Sequence, residues 1–274
     1  MLTEAVATVV ALWRYPVKSM MGEQLNATEV TDRGLLGDRA YALVDRETGK
    51  VASAKFPRKW PTLLAHRATY VEPPAGADGL PAVRITLPDG RIVRSDDPDV
   101  DRVLSADLGR DVALDRSAPE APSLEEYWPD IEGLDHRDAL TEEAMPTGTF
   151  FDLGIVHLLT TATIDRLREL YPEGRFEVRR FRPNVIVGPT HGETGFIENE
   201  WVGQTLAIGD EVRLRITQPC PRCVMTTIAQ DDLPKDPGFL RTAARYNDVN
   251  VGVYATVERP GRVRRGDEIR LQPS

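Results

Sequence analysis

VRITLPDGRIVRS, residues 83–95, consists of two short alternating segments joined by Pro88-Asp89-Gly90. Val83 and Ile85 alternate with Arg84 and Thr86, and a period of two is the mark of a half-buried strand. Gly90 supplies the positive φ that the turn requires, so the stretch is predicted to be a β-hairpin. The same pattern extends outward on the N-terminal side. AYALVDRETGKVASA (40–54) reads as a second hairpin turning near Thr48-Gly49, and ATVVALWRYP (7–16) as a strand. Residues 1–120 are therefore expected to form a β-rich domain closed by a short helix in PDVDRVLSADLG (98–109). Asp97 is its expected N-cap and Pro98 its first position.

On the C-terminal side, residues 117–148 are dense in Pro and acidic residues with little periodicity. This stretch is expected to be a connecting or surface segment that holds a domain boundary. LLTTATIDRLRELYPEG (158–174) follows, with Thr residues at its start, Ile164, Leu167, Leu170 and Tyr171 on one face, and Pro172 and Gly174 as stops. It reads as an amphipathic helix. FEVRRFRPNVIVG (176–188), LAIGDEVRLRITQP (206–219), VGVYATVERPG (251–261) and DEIRLQ (267–272) read as strands, and DPGFLRTAARY (236–246) as a helix. The fold class is α+β and strand-dominated, with a second domain over 121–274.

The chain has 274 residues, 41% hydrophobic and 28% charged, a globular composition with enough apolar material for a core. A net charge of -9 and pI near 5.1 argue against a general nucleic-acid binder, which needs a basic face. Glu4 precedes the apolar run of MLTEAVATVVALW, and neither a basic region nor a cleavage site frames it. It reads as a first strand, not a signal peptide. No run approaches the roughly 20 apolar residues that a bilayer demands. A cytoplasmic protein without a membrane role is the expectation.

Two cysteines occur, Cys220 and Cys223, in QPCPRC. A disulfide is disfavoured in a reducing compartment, and two thiols do not supply an iron-sulfur cluster. As a zinc half-site the pair lacks paired histidines, because His66, His136, His157 and His191 are scattered. As a redox pair it should open a helix, yet the strand-like VMTTIAQ follows. One thiolate could instead be a soft ligand to a transition metal completed by a cofactor. Plain core packing is a fourth reading, and these residues alone do not decide among them. Lys18 in YPVKS, Arg39 in GLLGDRAY, and Arg182 beside Asn184 in RRFRPN are donors suited to an anionic cofactor. Thr160 and Thr161 at a helix start suit a phosphate or plain capping equally.

LWRYPVKS, GLLGDRAY, FRPNVIV, ENEWVGQTLAIGD and CPRCVMTT together resemble the MOSC proteins that carry an N-terminal β-barrel domain. That group includes the mitochondrial amidoxime-reducing component and bacterial N-hydroxylated-base reductases. The resemblance runs from Leu12 to about Leu271. It implies an N-terminal β-barrel, a mixed MOSC β-barrel with peripheral helices, and molybdenum-molybdopterin between them. It makes Cys223 the metal ligand and catalytic residue, with Lys18, Arg39, Thr160, Thr161, Arg182 and Asn184 as cofactor-binding residues. The implied activity is a molybdenum-dependent oxidoreductase that reduces small N-hydroxylated substrates. Since no flavin or dinucleotide fingerprint is visible, electrons are expected from a separate flavoprotein reductase or ferredoxin-like protein. A sulfur carrier using a Cys223 persulfide and a non-catalytic cofactor carrier are the alternatives. Pyridoxal phosphate is a weak further implication, since Lys18 lacks the surroundings of a Schiff-base lysine.

Overall fold

A computed structural model describes residues 4–76 and 79–272. Seven strands close into a barrel. Going round, Val185–Pro189, Val156–Thr160, Asn250–Arg259, Val212–Pro221, Thr205–Ile208, Glu268–Gln272 and Ala7–Arg14 are neighbours, and Ala7–Arg14 pairs again with Val185–Pro189. The first strand of the chain thus completes a barrel whose other six strands come from beyond residue 155. Closure leaves no exposed edge. Val9, Leu12, Leu158, Val187, Leu206, Leu214, Val253 and Ile269 fill the interior. All pairings are antiparallel except Val156–Thr160 with Val185–Pro189, which are bridged by the Thr161–Leu170 helix.

That helix forms where its sequence indicated. Thr160 caps it, its hydroxyl accepting from Thr163 N at 3.1 Å, while Ile164 and Leu167 are buried and the chain leaves at Tyr171, just before Pro172. The Val100–Leu108 helix starts later than expected. Asp99 takes the cap position without a side-chain bond, and the Asp97 carboxylate instead accepts from Arg94 N. Gly238–Asn247 is helical as expected.

In the N-terminal part, Arg67–Tyr70, Val83–Thr86 and Ile92–Arg94 form a three-stranded sheet that contains the predicted hairpin, with Gly90 at φ +86°. Ala42–Asp45 pairs mainly with Val112–Asp115 and meets its predicted hairpin partner only at the Val44–Val51 bridge. A separate core of Leu43, Leu63, Val83, Ile85 and Leu104 lies beneath these strands.

Three local expectations are corrected. The strand expected over 176–188 begins only at Val185, because Val178–Arg180 is a 3-10 turn. The 117–148 stretch is not irregular throughout: Ser123–Trp128 and Ala139–Ala144 pair as an antiparallel hairpin, Ser123 opposite Ala144 and Trp128 opposite Ala139. Its alternation is hard to see because one inward position beside Leu124 is occupied by Glu126. The residues after the cysteine pair are not a strand either, since Val224–Thr227 is a 3-10 turn. Val212–Pro221 is interrupted three times along its pairing with Asn250–Arg259, the last between Pro219 and Pro221. Proline has no N–H to extend a ladder, so the strand ends there and the chain turns at Cys223.

Candidate functional site

The Val212–Pro221 strand ends at a cavity of about 300 Å³ that draws its lining from both halves of the chain. Lys18, Arg39, Arg182, Asn184 and Cys223 all line it, so residues 205 positions apart in sequence meet there. Thr160 and Thr161 are not brought to it. The Thr160 hydroxyl donates to Glu198 at 2.6 Å, and Thr163 donates to the same carboxylate at 2.7 Å. Glu198, fully buried in the ENEW segment, complements the helix N-terminus.

The cationic side chains are built in from the backbone upward. Ser19, Arg39, Arg182 and Val249 line the cavity and all have left-handed backbone, with φ of 61°, 46°, 54° and 65°. Non-glycine residues in that region are strained, and such strain concentrates at functional sites. The Tyr15 ring lies 4.2 Å from the Arg182 guanidinium and 4.6 Å from that of Arg39. Arg182 also donates to Met20 O at 2.6 Å, and Arg39 pairs with Asp38. Asp38 accepts further from Tyr15 N at 2.7 Å and from Asn184 Nδ2 at 3.0 Å. Asn184 Oδ1 accepts from His157 N at 3.1 Å. Asn184 therefore ties the first strand, the Asp38 loop and the barrel together.

A buried chain of alternating charge completes the site. Lys18 Nζ donates to Phe150 O at 3.0 Å and to the Asp152 carboxylate, whose other oxygen lies 3.7 Å from Lys55 Nζ. Lys55 in turn donates to Glu126 Oε2 at 2.8 Å. Burial opposes ionisation of Asp152, but the Lys18 and Lys55 ammoniums overcome it and hold the carboxyl below its ordinary range. Lys18 itself is pushed down by burial despite Asp152.

The two thiols differ. Cys220 is fully buried, 2.7 Å from Arg222 Nη1, and does not line the cavity. Cys223 is half-buried and lines it. Burial pushes the Cys223 thiol up to about 11 in the free protein, against the pull of Lys55 and Arg222. Arg222 Nε is buried without a hydrogen-bond partner among the described residues. A soft sulfur, an unsatisfied guanidinium nitrogen and five cationic side chains, Lys18, Arg39, Lys55, Arg182 and Arg222, fit an anionic ligand carrying a thiophilic metal.

Comparison with known proteins matches residues 149–270 to the MOSC domain and residues 6–96 to the MOSC N-terminal beta barrel domain. The chain belongs to the MOSC proteins with an N-terminal β-barrel domain. Its relatives include mitochondrial amidoxime reducing component 2 of Rattus norvegicus, 26% identical over 97% of this chain and 83% of the relative. The Homo sapiens component 2 is 27% identical, covering 97% and 84%, and the Homo sapiens component 1 is 25% identical, covering 98% and 84%. Among solved structures, the YUAD protein from Bacillus subtilis aligns over 99% of this chain and 98% of its own, with 14% identity and a TM-score of 0.49. No helix among the described residues is long and apolar enough to cross a membrane.

The MOSC domain contributes Cys223, Arg182 and Asn184 to the cavity, and the N-terminal barrel domain contributes Lys18, Arg39 and Lys55. Lys55, Glu126, Asp152 and Arg222 escaped the sequence reading. Arg222 stands inside CPRC and was legible in principle, whereas the other three share no motif and meet only through tertiary pairing.

His157, on a MOSC barrel strand, gives the first prediction. Burial, reinforced by the nearby Arg222 charge, holds its imidazole down at about 3, and Nε2 lies 3.1 Å from Val251 O. Unfolding restores an ordinary value near 6.5, so the unfolded chain takes up a proton that the folded chain refuses. The His157 contribution to stability is thus complete above about pH 6.5 and falls steadily as pH drops towards 3, by about 2 kcal/mol at pH 5. Urea unfolding at pH 7.5 and 5 should show this loss in the native chain and a smaller one in His157→Gln. Equal losses would refute the assignment.

Proposed function

We propose that the chain is a molybdenum-cofactor-dependent reductase of N-hydroxylated substrates, fed with electrons by a separate flavoprotein or ferredoxin-like donor. One observation carries this reading: Cys223 shares a single cavity with Lys18, Arg39, Arg182 and Arg222. The names of the mitochondrial amidoxime-reducing relatives support the same activity. Cys223 is the protein's thiolate ligand to molybdenum, and Lys18, Arg39 and Arg182 hold the anionic end of molybdopterin. Asn184 steadies Arg39 by donating to Asp38, the carboxylate that pairs with it. When bound, the cofactor supplies two-electron oxygen-atom chemistry, and the net change is R–NHOH + 2 e⁻ + 2 H⁺ → R–NH₂ + H₂O. Phe150, Phe151, Leu124 and Met225 surround the cavity and limit water. With two cysteines in the sequence, the chain does not supply the ligands of its own iron-sulfur cluster, which is why an external donor is invoked.

The test is expression in a host that makes molybdopterin, metal analysis by mass spectrometry, and benzamidoxime reduction with a chemical donor. About one molybdenum per chain and turnover are expected. Folded protein without molybdenum removes the reading, and stoichiometric molybdenum without turnover on any N-hydroxylated compound makes the chain a cofactor carrier.

A further inference from the structure

Arg180 is fully buried, does not line the cavity and makes no ion pair among the described residues. Its guanidinium binds four backbone carbonyls instead. Nε donates to Arg175 O at 3.3 Å, Nη1 to Thr226 O at 3.3 Å and to Ile228 O at 3.2 Å, and Nη2 to Pro234 O at 2.8 Å. The centre of the Phe239 ring lies 4.0 Å from Cζ. Three of those carbonyls belong to the segment that leaves Cys223. A 3-10 turn as short as Val224–Thr227 leaves its own carbonyls short of partners. Every carbonyl from Cys223 to Ile228 is nevertheless satisfied. Thr226 N and Oγ1 donate to Cys223 O at 3.2 and 3.1 Å, Thr227 Oγ1 to Val224 O, Gln230 Nε2 to Met225 O and Asp236 N to Thr227 O, and Arg180 serves the other two. On the other side of Cys223, Arg222 N donates to Val249 O and Arg222 Nη2 to Phe181 O, both at 2.9 Å. Residues 180 and 181 thus grip the cysteine from both flanks.

Burying a guanidinium that no carboxylate contacts costs free energy, and an apolar side chain would fill the same space at lower cost. What arginine alone supplies is a rigid planar fork whose donors reach several acceptors at once, a span that a lysine ammonium lacks. Resting on the reductase reading above, we propose that Arg180 is a positioning residue for the metal ligand: by fixing the turn that Cys223 opens, it sets where the Cys223 sulfur stands in the cavity. Arg180 faces the cysteine turn and Arg182 faces the cavity, so one short stretch, Arg180-Phe181-Arg182, aligns the sulfur with the cationic groups. Such alignment matters because reacting groups must be held to within about 0.5 Å of their working geometry.

The test compares Arg180→Lys with Arg179→Gln, since Arg179 holds the Asp231 and Asp232 carboxylates of the same segment but none of its turn carbonyls. In the metal-free full chain, iodoacetamide should alkylate Cys223 at least about tenfold faster in Arg180→Lys, the weight of one hydrogen bond to a charged group. Arg179→Gln should react at the native rate, and peptide mass spectrometry reads Cys223 apart from Cys220. In the molybdenum-loaded chain, Arg180→Lys should shift the paramagnetic resonance lines of the partly reduced metal. It should also lower kcat for benzamidoxime by at least about tenfold with KM kept within about twofold, while Arg179→Gln changes neither. Should Arg180→Lys not fold, Thr226→Val removes the hydroxyl that holds Cys223 O, leaves the guanidinium in place, and should give smaller changes in the same direction. A native alkylation rate or a native spectrum in the variant that folds, or an equal change in Arg179→Gln, overturns the proposal. Alkylation needs no cofactor, so a chain that never takes up molybdenum refutes the reductase reading, while faster reaction of Cys223 in Arg180→Lys still upholds Arg180 as the residue that places the sulfur.

Discussion

On the proposed function, Cys223→Ser is expected to leave the chain folded, to prevent it from holding molybdenum, and to lower benzamidoxime reduction by more than about a hundredfold, beyond the loss that follows removal of a group that only supports a ligand. A serine hydroxyl is a hard, weakly acidic donor that does not replace a thiolate on a thiophilic metal. Cys223 lines the cavity, caps a turn through its backbone and only borders the small cluster of Met21, Ala54, Leu64 and Met225, so exchanging its sulfur for oxygen removes little packing. Cys220→Ser is the matched control. Its sulfur is buried beside Arg222, and a hydroxyl accepts from the guanidinium as well as a thiol does. Metal content and activity should stay within a few-fold, at a cost of about 1 kcal/mol in stability. If Cys220→Ser loses the metal and Cys223→Ser keeps it, the ligand has been assigned to the wrong cysteine.

Asp152→Ala is expected to cost about 3 kcal/mol of folding stability, measured by urea unfolding at neutral pH. Its carboxylate stands between Lys18 and Lys55, both nearly buried, and its removal leaves two ammoniums facing one another with only Glu126 to balance them. Breaking a buried ion pair by deleting one partner costs several kcal/mol, and the partial exposure of Asp152 places the effect at the low end. The sign with pH follows from the carboxyl being held below its ordinary range. Its contribution is fully present above the unfolded value near 3.9 and is lost as pH falls through the lower folded value. The native chain and Asp152→Ala should therefore converge in stability in strong acid. A difference that persists unchanged there would mean that packing, not charge, is what Asp152 supplies.

Much of the molecule was legible from sequence because the signals were local. Alternation of apolar side chains in Val83–Ser95 and the capping pattern at Thr160 depend on neighbours two to four residues away, which the chain itself displays. The Ser123–Ala144 hairpin was missed because its inward face carries Glu126, a residue made tolerable there by Lys55, 71 positions earlier. At Thr160 the sequence left two readings open, a phosphate seat and a plain cap, and only the fold separates them. The local sequence suits a phosphate, but Glu198 lies beside Thr160 in space and takes its hydroxyl.

By itself the sequence determined a strand-dominated chain, its principal helices, and a short set of residues with the right chemistry, since periodicity and residue type are properties of local order. Tertiary structure alone decided which of those residues meet. Barrel closure puts the Ala7–Arg14 strand against Val185–Pro189, which carries Lys18 and Arg39 to Arg182 and Asn184. Packing outside the barrel sets Lys55, Asp152 and Glu126 around the same cavity as Cys223, because long-range strand pairing and the pairing of buried charges are settled by the folded whole and leave no mark at short separation.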